Sequence, residues 1–455
     1  MKTKKYELDM CHGPLLGKIL IFALPLMLSG ILQLLFNAAD MIVVGHANGP
    51  TSLAAVGATS SLINLLINLF MGLSIGANVL VAHFFAAGQE KDCKETVHTA
   101  ILVSMISGIF LAFVGIVLAR PLLALMGTPS DVLDKSVLYM RVFFLGMPVM
   151  LLYNFGSAIL RAVGDTKRPL FYLSVSGVIN VILNLFFVFV FEMDVAGVAL
   201  ATVLSQALSA FLIVRCLMKT EGYCKLNIGD LKIKKDKLLK MIRIGLPAGL
   251  QGSIFSISNV LIQSSVNSFG SIAMAGNTAC SNLEGFVYNA MNAIYQTALT
   301  FTSQNFGGKQ YKRIKKVILL NIVIVTLVGC VMGGFVILSG KTLLGLYTSE
   351  GAAIAYGLIR MKIIFSTYFL CGIMDVMVGC LRGLGRSILP MIVSLLGACG
   401  LRVVWIFTIF KMYPALETIY ISYPISWTLT ATVHLICLLI VMKSLGKKMK
   451  EETNI

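Results

Sequence analysis

Long apolar stretches, separated by short polar or charged segments, recur along the whole chain. A stretch of about 20 apolar residues is long enough to cross the hydrocarbon core of a bilayer as a helix. The pattern therefore predicts an all-α polytopic membrane protein with twelve transmembrane helices. The predicted spans are 16–45, 53–84, 97–118, 138–160, 170–191, 196–217, 244–268, 273–303, 317–338, 357–381, 388–411 and 419–442.

The distribution of Lys and Arg predicts the orientation of these spans. Loops 46–52, 192–195 and 269–272 contain no Lys or Arg, whereas the even-numbered loops include the basic run 219–243 and the basic cluster 309–316. Loops on the cytoplasmic side of a membrane are enriched in basic residues. We therefore expect a multi-pass protein of the cell inner membrane with both termini in the cytoplasm, which agrees with an even number of spans.

The second half of the chain repeats the first half in the same direction. "AILRAVGDTKRP" at 158–169 matches "GCLRGLGRSILP" at 379–390, and Pro25 in "FALPLMLSG" aligns with Pro247 in "RIGLPAGLQG". Two parallel repeats of six helices predict two six-helix bundles related by an axis along the membrane normal. Such duplication is typical of transporters, because two matched bundles can move around a site near the midplane.

This pattern divides the chain into five segments. We expect cytoplasmic tails at 1–15 and 443–455, an N-lobe at 16–218, a cytoplasmic bridge at 219–243 and a C-lobe at 244–442. Glycines at four-residue spacing favour close packing of membrane helices. Such pairs are Gly72/Gly76, Gly245/Gly249 and Gly329/Gly333.

The composition excludes several classes of function. The chain is 57% hydrophobic and 13% charged, against about 25% charged residues in an average soluble domain. Its net charge of +17 fits basic loops in contact with anionic lipids, so nucleic acid is not an expected partner. The ten Cys residues form no CxxC pair, and no HExxH, GxSxG or phosphate-binding glycine motif occurs. We therefore expect neither a structural metal site nor an enzyme.

Acids inside the predicted spans are the first candidates for function. An ionisable group at the middle of a bilayer costs on the order of 3 kcal/mol, so each such residue is expected to have a functional role or a compensating partner. Of the 20 Asp and Glu residues, only Asp40, Glu284 and Asp375 fall inside the predicted spans. Gln33, Asn37 and Asp40 share one face of the first span. A carboxylate among amides and hydroxyls can hold either a proton or a desolvated Na⁺.

Polar residues of other spans complete the predicted N-lobe site. Asn180 and Asn184 lie one turn apart on the fifth span, Asn154 lies on the fourth and Thr202 on the sixth. We expect these residues to surround Asp40 in a cation-binding and coupling site. The alternatives are a hydrogen-bonded structural role for Asp40 and interhelical hydrogen bonding for the two asparagines.

A second polar group is predicted in the C-lobe. Glu284, Tyr288 and Asn292 follow one face of the eighth span at four-residue spacing. The other expected members are Gln263 of the seventh span, Asp375 of the tenth and Arg402 of the eleventh. We expect a substrate or ion site here. Arg402 is predicted to be a counter-ion of Glu284 or Asp375, and the alternative is that its side chain extends towards the membrane surface.

The motifs and their order resemble the multidrug and toxic compound extrusion (MATE) family. The resemblance rests on "QLLFNAADMIVVGH" in the first span, "MGLSIGANVLVAHFFAAGQ" in the second, and the paired endings "LRAVGD" and "LRGLG". It implies cation-driven export of organic compounds by alternating access. It also implies that an acid at the position of Asp40 forms the N-lobe cation site with polar residues of the fifth span. The chain departs from the family pattern in two places, since Asn184 stands where some relatives have a second acid and the seventh span has no acid.

The expected function is a secondary active antiporter that exports amphipathic, cationic organic compounds in exchange for Na⁺ or H⁺. The alternative is a lipid-linked oligosaccharide flippase of the same superfamily, which twelve spans and acids in both lobes disfavour. The expected partners are a small organic substrate and membrane lipid. We expect a monomer with no cofactor other than the transported ion.

Overall fold

Every regular element in the described part of the chain is helical, and none is a strand. The computed structural model describes residues 7–453, and for residues 46–50, 53, 61 and 447–453 it describes only the backbone. The helices of the first half are α1 (Leu15–Ala86), α2 (Glu90–Leu125), α3 (Ser130–Leu145), α4 (Met147–Ala162), α5 (Lys167–Leu185) and α6 (Val195–Lys219). Those of the second half are α7 (Lys235–Asn267), α8 (Ser271–Gly307), α9 (Tyr311–Leu338), α10 (Gly340–Gly345), α11 (Gly351–Phe365), α12 (Tyr368–Gly383), α13 (Ile388–Ser394), α14 (Leu401–Phe407), α15 (Ile409–Met412) and α16 (Leu416–Thr453).

Each of the twelve predicted spans coincides with helical structure. Among the described residues, 8 helical segments are long and apolar enough to cross a membrane, and two bent helix pairs raise the number to 10. The other two predicted spans, 244–268 and 273–303, coincide with α7 and α8. These helices are long enough to span a bilayer but carry more Ser, Asn and Gln. The prediction of an all-α polytopic membrane protein is confirmed.

Both halves of the chain bend a helix at the same point of the repeat. α3 and α4 form a span bent by 48°, and α11 and α12 form a span bent by 46°. The first break lies at Gly146 and the second at Ser366 and Thr367, which are matching positions in the sequence repeat. The duplicated sequence pattern therefore corresponds to a duplicated geometry, as expected for two parallel repeats of six helices.

The chain forms two compact units. They differ from the predicted lobes in the assignment of two segments, one in α1 and one in α7. Unit 1 comprises residues 7–9 and Leu28–Ser253, and unit 2 comprises Met10–Met27 and residues 254–453. The first turns of α1 thus belong to unit 2, where Phe22 packs edge-to-face on Phe301 with ring centroids 5.7 Å apart. The first half of α7 belongs to unit 1. Hydropathy alone locates helices but does not say which helices pack together.

Ionic contacts inside unit 1 join loops that the sequence places on the same side of the membrane. Lys135 pairs with Asp194 at 2.6 Å, and its ammonium donates a hydrogen bond to Ser52 at 2.9 Å. These three residues come from, or border, odd-numbered loops. Asp92 and Lys237, which pair with each other, come from even-numbered loops. The odd-numbered loops of unit 1 therefore contact one another, and two of the even-numbered loops contact one another, as is typical of a polytopic arrangement.

Two of the predicted glycine pairs pack against each other in unit 1. Gly72 and Gly76 of α1 approach Gly245 and Gly249 of α7 so closely that a Cβ atom added to Gly72 would overlap the backbone nitrogen of Gly249. Glycines at four-residue spacing let two helix backbones touch without side chains between them. This glycine seam explains why the first half of α7 belongs to unit 1.

We expect Gly72→Ala to disrupt the glycine seam, because the added methyl group would meet backbone atoms that cannot turn away. The expected loss in the free energy of unfolding is about 3 kcal/mol, the upper part of the range for overpacked interiors. The matched control is Gly57→Ala on the same helix, where an added Cβ has no neighbour within 4 Å. Size-exclusion chromatography of detergent-solubilised protein after heating measures both variants. If the Gly72→Ala and Gly57→Ala variants had the same thermal stability, the close backbone packing at the glycine seam would be contradicted.

Candidate functional site

Asp40 of α1 lies in a hydrogen-bonded group formed with α5 and α6 of unit 1. Its Oδ1 accepts a hydrogen bond from Asn184 Nδ2, and its Oδ2 accepts one from the Thr202 hydroxyl at 3.5 Å. Asp40 is half-buried, whereas Asn184 is fully buried. Among the described residues, Asp40 has no basic partner. Its charge is therefore offset by hydrogen bonds alone.

The spacing of polar residues on α5 brings two asparagines to Asp40. Asn180 and Asn184 lie one turn apart on the buried face of α5. Asn184 Nδ2 lies 3.4 Å from Asn180 Oδ1, and Asn180 Nδ2 lies 3.5 Å from Thr202 Oγ1. The four side chains form a closed ring of contacts, which we call the Asp40 group. Just beyond Asn184, α5 continues as a π-helical segment, Phe186–Val190, and π-helical turns are frequent at functional sites.

The oxygen atoms of the Asp40 group suit a small, hard cation. Carboxylate, carbonyl and hydroxyl oxygens are the ligands that such cations prefer. Asn184 Oδ1 is buried and has no hydrogen-bond donor within the described residues. A half-turn of this amide would present its oxygen to a cation held by Asp40. The same carboxylate can instead take up a proton, so the geometry suits either ion.

Two predicted members lie outside the Asp40 group. Asn37 is exposed and makes no hydrogen bond to the group among the described residues. Asn154 instead donates a hydrogen bond to the Met150 carbonyl of its own helix at 2.8 Å. The sequence pattern did not identify Tyr139 of α3, which is close enough to Asp40 to interact with its charge. Asp40 and Tyr139 both lie near span ends that border odd-numbered loops, and this shared depth is the signal that could have indicated their proximity.

In unit 2, Glu284 of α8 forms a bidentate ion pair with Arg360 of α11. Arg360 Nε donates to Oε1 at 2.6 Å, and Nη2 donates to Oε2 at 2.8 Å. Arg360 Nη1 donates to Asn277 Oδ1 at 2.6 Å. The ring centroids of Tyr420 and Tyr423 lie 5.4 Å and 5.7 Å from the guanidinium carbon. Both ions of this buried pair are thus surrounded by matching partners, as a stable buried ion pair requires.

Gln263 of α7 joins this pair indirectly. Asn277 Nδ2 donates a hydrogen bond to Gln263 Oε1 at 2.8 Å, and Asn277 Oδ1 accepts from Arg360. The sequence pattern did not single out Arg360 or Asn277, although Arg360 falls inside the tenth predicted span. A buried arginine usually has an anionic partner. The presence of Arg360 and Glu284 in two spans of the second repeat was therefore the signal that could have predicted their ion pair.

Asp375 of α12 has different surroundings from Glu284. Tyr288 of α8 lies within hydrogen-bonding reach of its carboxylate, and Arg382 is close enough to act on its charge. Arg382 Nη1 also donates a hydrogen bond to the Tyr295 hydroxyl at 2.6 Å. The polar face of α8 therefore supplies Tyr288 and Tyr295 to this second group, whereas Asn292 has no hydrogen bond to either group in the described part of the chain.

The prediction that Arg402 is a counter-ion of Glu284 or Asp375 is wrong. Glu284 pairs with Arg360, and the cation that acts on Asp375 is Arg382. The physical reason is packing, because α11 lies against α8 whereas α14, which carries Arg402, lies against α16. Arg402 does not extend to the membrane surface either, since only 3% of it is exposed.

The comparisons with known proteins agree with this duplicated helical fold. The family model MatE matches residues 25–186 and 247–408, and the two matches begin at the aligned prolines of the repeat. The chain is 28% identical over 419 residues to the probable multidrug resistance protein YoeA of Bacillus subtilis, which covers 90% of each chain. It is 25% identical over 401 residues to the probable multidrug resistance protein NorM of Thermotoga maritima, which covers 87% of this chain and 86% of that protein.

The fold is also similar to that of a solved structure, the outward-facing conformation of a multidrug resistance MATE family transporter of the MOP superfamily. The TM-score is 0.91 at 22% sequence identity, and the match covers 98% of this chain and 100% of that chain. At this identity the likeness concerns the fold alone. The MatE matches, however, cover most of the sequence and include both repeats. The chain therefore belongs to the MatE family, the multidrug and toxic compound extrusion transporters that its motifs resemble.

Proposed function

We propose that this protein is a secondary active antiporter that exports amphipathic, cationic organic compounds in exchange for Na⁺ or H⁺ by alternating access. The observation that carries the proposal is the Asp40 group, in which a carboxylate has only hydrogen-bonding partners and no cation among the described residues. An uncompensated carboxylate inside a membrane is costly, so it gains strongly from binding a cation or a proton. The names of the relatives, which refer to multidrug resistance, support drugs as the exported compounds.

The available gradients are sufficient for this task. Inward movement of one positive charge releases about 2.3 kcal/mol per 100 mV of membrane potential. Since ~1.4 kcal/mol corresponds to a factor of ten in concentration, one coupled charge can concentrate a neutral substrate more than tenfold. Exchange of one monovalent drug cation for one monovalent ion moves no net charge, so it would use the ion gradient alone.

The acids of unit 2 have different roles in this proposal. Asp375, with Tyr288 nearby, is a second candidate for holding an ion or a proton during transport. Glu284 is already neutralised by Arg360, and this pair holds α8 against α11. We therefore assign Glu284 a positioning role and Asp375 a coupling role.

We place the transporter in the cell inner membrane with both termini in the cytoplasm. The basis is the concentration of Lys and Arg in the tails and the even-numbered loops. These basic loops would contact anionic lipid headgroups. A monomer suffices for alternating access, because the internal duplication supplies both repeats in one chain.

Ethidium efflux from cells that express the protein tests this function. Loaded cells receive either an inward Na⁺ gradient at constant pH or an inward H⁺ gradient without Na⁺. We expect one gradient to drive efflux and an ionophore that dissipates this gradient to stop it. Efflux that continues without either gradient would contradict antiport.

A lipid-linked oligosaccharide flippase is the alternative function. The observation in its favour is Arg402, a buried cation with no carboxylate partner in the described part of the chain, since flippases of this superfamily often have a strongly basic cavity. Translocation of a fluorescent lipid-linked oligosaccharide in proteoliposomes, together with no efflux of ethidium, would favour this alternative.

A further inference from the structure

Two cysteines that are far apart in the sequence lie in contact in unit 1. Cys93 lies in the first turn of α2, and Cys224 lies in the bridge, just after the end of α6. Their Sγ atoms are 3.9 Å apart, both residues are buried, and both carry free thiols. Since a disulfide bond is about 2.05 Å long, a movement of about 2 Å between the two sulfurs brings them to bonding distance.

The bridge is held in place on both sides of Cys224. Before it, the ring of Tyr223 packs edge-to-face on Phe85, with ring centroids 6.0 Å apart. After it, the backbone N–H of Asn227 donates a hydrogen bond to Nε2 of His98 at 3.1 Å. His98 belongs to α2, the helix that also carries the partner cysteine. The two sulfurs therefore meet in a geometry that the backbone on either side of Cys224 fixes.

The surroundings of the pair keep it reduced at rest. The contact with Cys93, burial and the charge of Glu7 all raise the pKa of the Cys224 thiol well above its usual range. The thiolate is the reactive form of a cysteine, so a protonated thiol is protected. Reaction of this pair therefore requires two events together, namely the arrival of an oxidant and a local opening of the bridge that admits it.

We propose that Cys93 and Cys224 form a redox modification site, at which a peroxide converts the two thiols into a disulfide that fastens the bridge to α2. One thiol attacks the O–O bond of hydrogen peroxide, becomes a sulfenic acid and releases a water molecule. The second thiol attacks the sulfenic sulfur, forms the S–S bond and releases a second water molecule. Two thiols are thus oxidised to one disulfide while one peroxide is reduced to two water molecules, and a dithiol reductant reverses the reaction.

The location of this site gives the modification a consequence for the whole chain. The bridge is the segment that connects the two six-helix repeats. A disulfide at Cys224 would keep this segment on α2, because the opening that separates the two sulfurs would no longer be possible. The inference concerns the fold of unit 1 and does not depend on the proposed antiport.

The first test counts thiols in the purified, full-length protein in detergent. The protein is treated with hydrogen peroxide, its remaining thiols are alkylated with a maleimide, and its proteolytic peptides are weighed by mass spectrometry. We expect a linked pair of peptides that contains Cys93 and Cys224 and that dithiothreitol separates. Cys224→Ser should abolish the linked pair. The matched control is Cys216→Ser, which removes another buried thiol of unit 1 and should leave the linked pair unchanged.

Limited digestion with trypsin tests whether the disulfide fastens the bridge. The bridge carries the exposed lysines Lys225, Lys232 and Lys234. Peroxide should slow cleavage at these lysines at least roughly tenfold, because a disulfide suppresses the local opening that cleavage requires. Cleavage in the basic cluster 309–316 should be the same before and after oxidation. The Cys224→Ser variant should show no slowing in the bridge.

Three results would overturn the inference. The first is alkylation of both Cys93 and Cys224 after a peroxide treatment that oxidises the exposed Cys330, which would leave the pair as small packing residues. The second is a disulfide between two chains in place of the linked pair within one chain. The third is a linked pair with unchanged cleavage of the bridge. Size-exclusion chromatography verifies that each variant is folded, and the measurements on the wild-type protein decide the question even if a serine variant is not.

Discussion

Asp40→Asn is expected to abolish gradient-driven efflux of ethidium, with a loss of roughly tenfold or more in the initial rate. An asparagine side chain keeps one oxygen that accepts the hydrogen bond from Asn184, and its NH2 group can donate to the Thr202 hydroxyl, so the shape of the Asp40 group is retained. It cannot take up a proton and offers a cation no negative charge. An ion gradient shifts the equilibrium between inward-facing and outward-facing states only if the two states bind the ion with different affinities. The variant has lost the charge on which that difference depends. Efflux under separate Na⁺ and H⁺ gradients measures the effect and identifies the coupling ion.

Asp131→Asn is the matched control for this variant. Asp131 is an exposed acid of α3 in the same unit, and its replacement should leave efflux near the wild-type rate. Immunoblots of membrane fractions verify that both variants are inserted to the same extent. Full efflux by the Asp40→Asn variant would refute the coupling role of the Asp40 group and transfer that role to Asp375.

Removing one partner of the Glu284–Arg360 pair is expected to destabilise the protein more than removing both. Arg360→Met leaves a buried carboxylate without its cation, and Glu284→Gln leaves a buried guanidinium without its anion. Loss of one partner of a buried ion pair costs about 3–5 kcal/mol. The double variant removes both charges, so we expect it to recover more than half of that loss. Thermal unfolding of the four purified proteins provides the double-mutant cycle.

The exposed pair Glu90–Lys94 is the control for this cycle. Its atoms lie 2.7 Å apart, but its side chains are 52% and 40% exposed, so Glu90→Gln and Lys94→Met should each change the stability by less than about 0.5 kcal/mol. Additive losses at Glu284 and Arg360 would contradict the assigned ion pair. If the stable double variant retains efflux, Glu284 positions helices and does not couple ions.

Local sequence patterns were sufficient to predict the helices and the repeat. Hydropathy and segment length determine whether a helix can cross a bilayer, and both are readable without knowledge of the partners of a helix. The aligned Pro25 and Pro247 already indicated the duplication that the matched helix breaks display. The four-residue spacing of Gly72/Gly76 and Gly245/Gly249 likewise predicted close packing, although it did not say that these two pairs meet.

The candidate site was predictable only in part. Asn180 and Asn184 share a buried face of α5, so their periodicity correctly indicated that they lie together, and the structure places both with Thr202 beside Asp40. Asn37 satisfies the same spacing rule along α1 but lies outside the group. A helical face is broad, and spacing along one helix does not determine the angle at which the next helix packs against it.

The sequence by itself determined that this protein is a duplicated helical membrane protein with three intramembrane acids, because hydropathy, charge placement and repetition are properties of the chain alone. Only the tertiary structure decided which charges meet. Arg360 and Arg402 are both arginines inside predicted spans of the second repeat, yet one is bound to Glu284 and the other has no acidic partner among the described residues. Ion pairing depends on atoms within about 4 Å of each other, and such distances arise from the packing of helices that are far apart in sequence. For the same reason, the sequence pattern did not assign the first turns of α1 to unit 2 or the first half of α7 to unit 1.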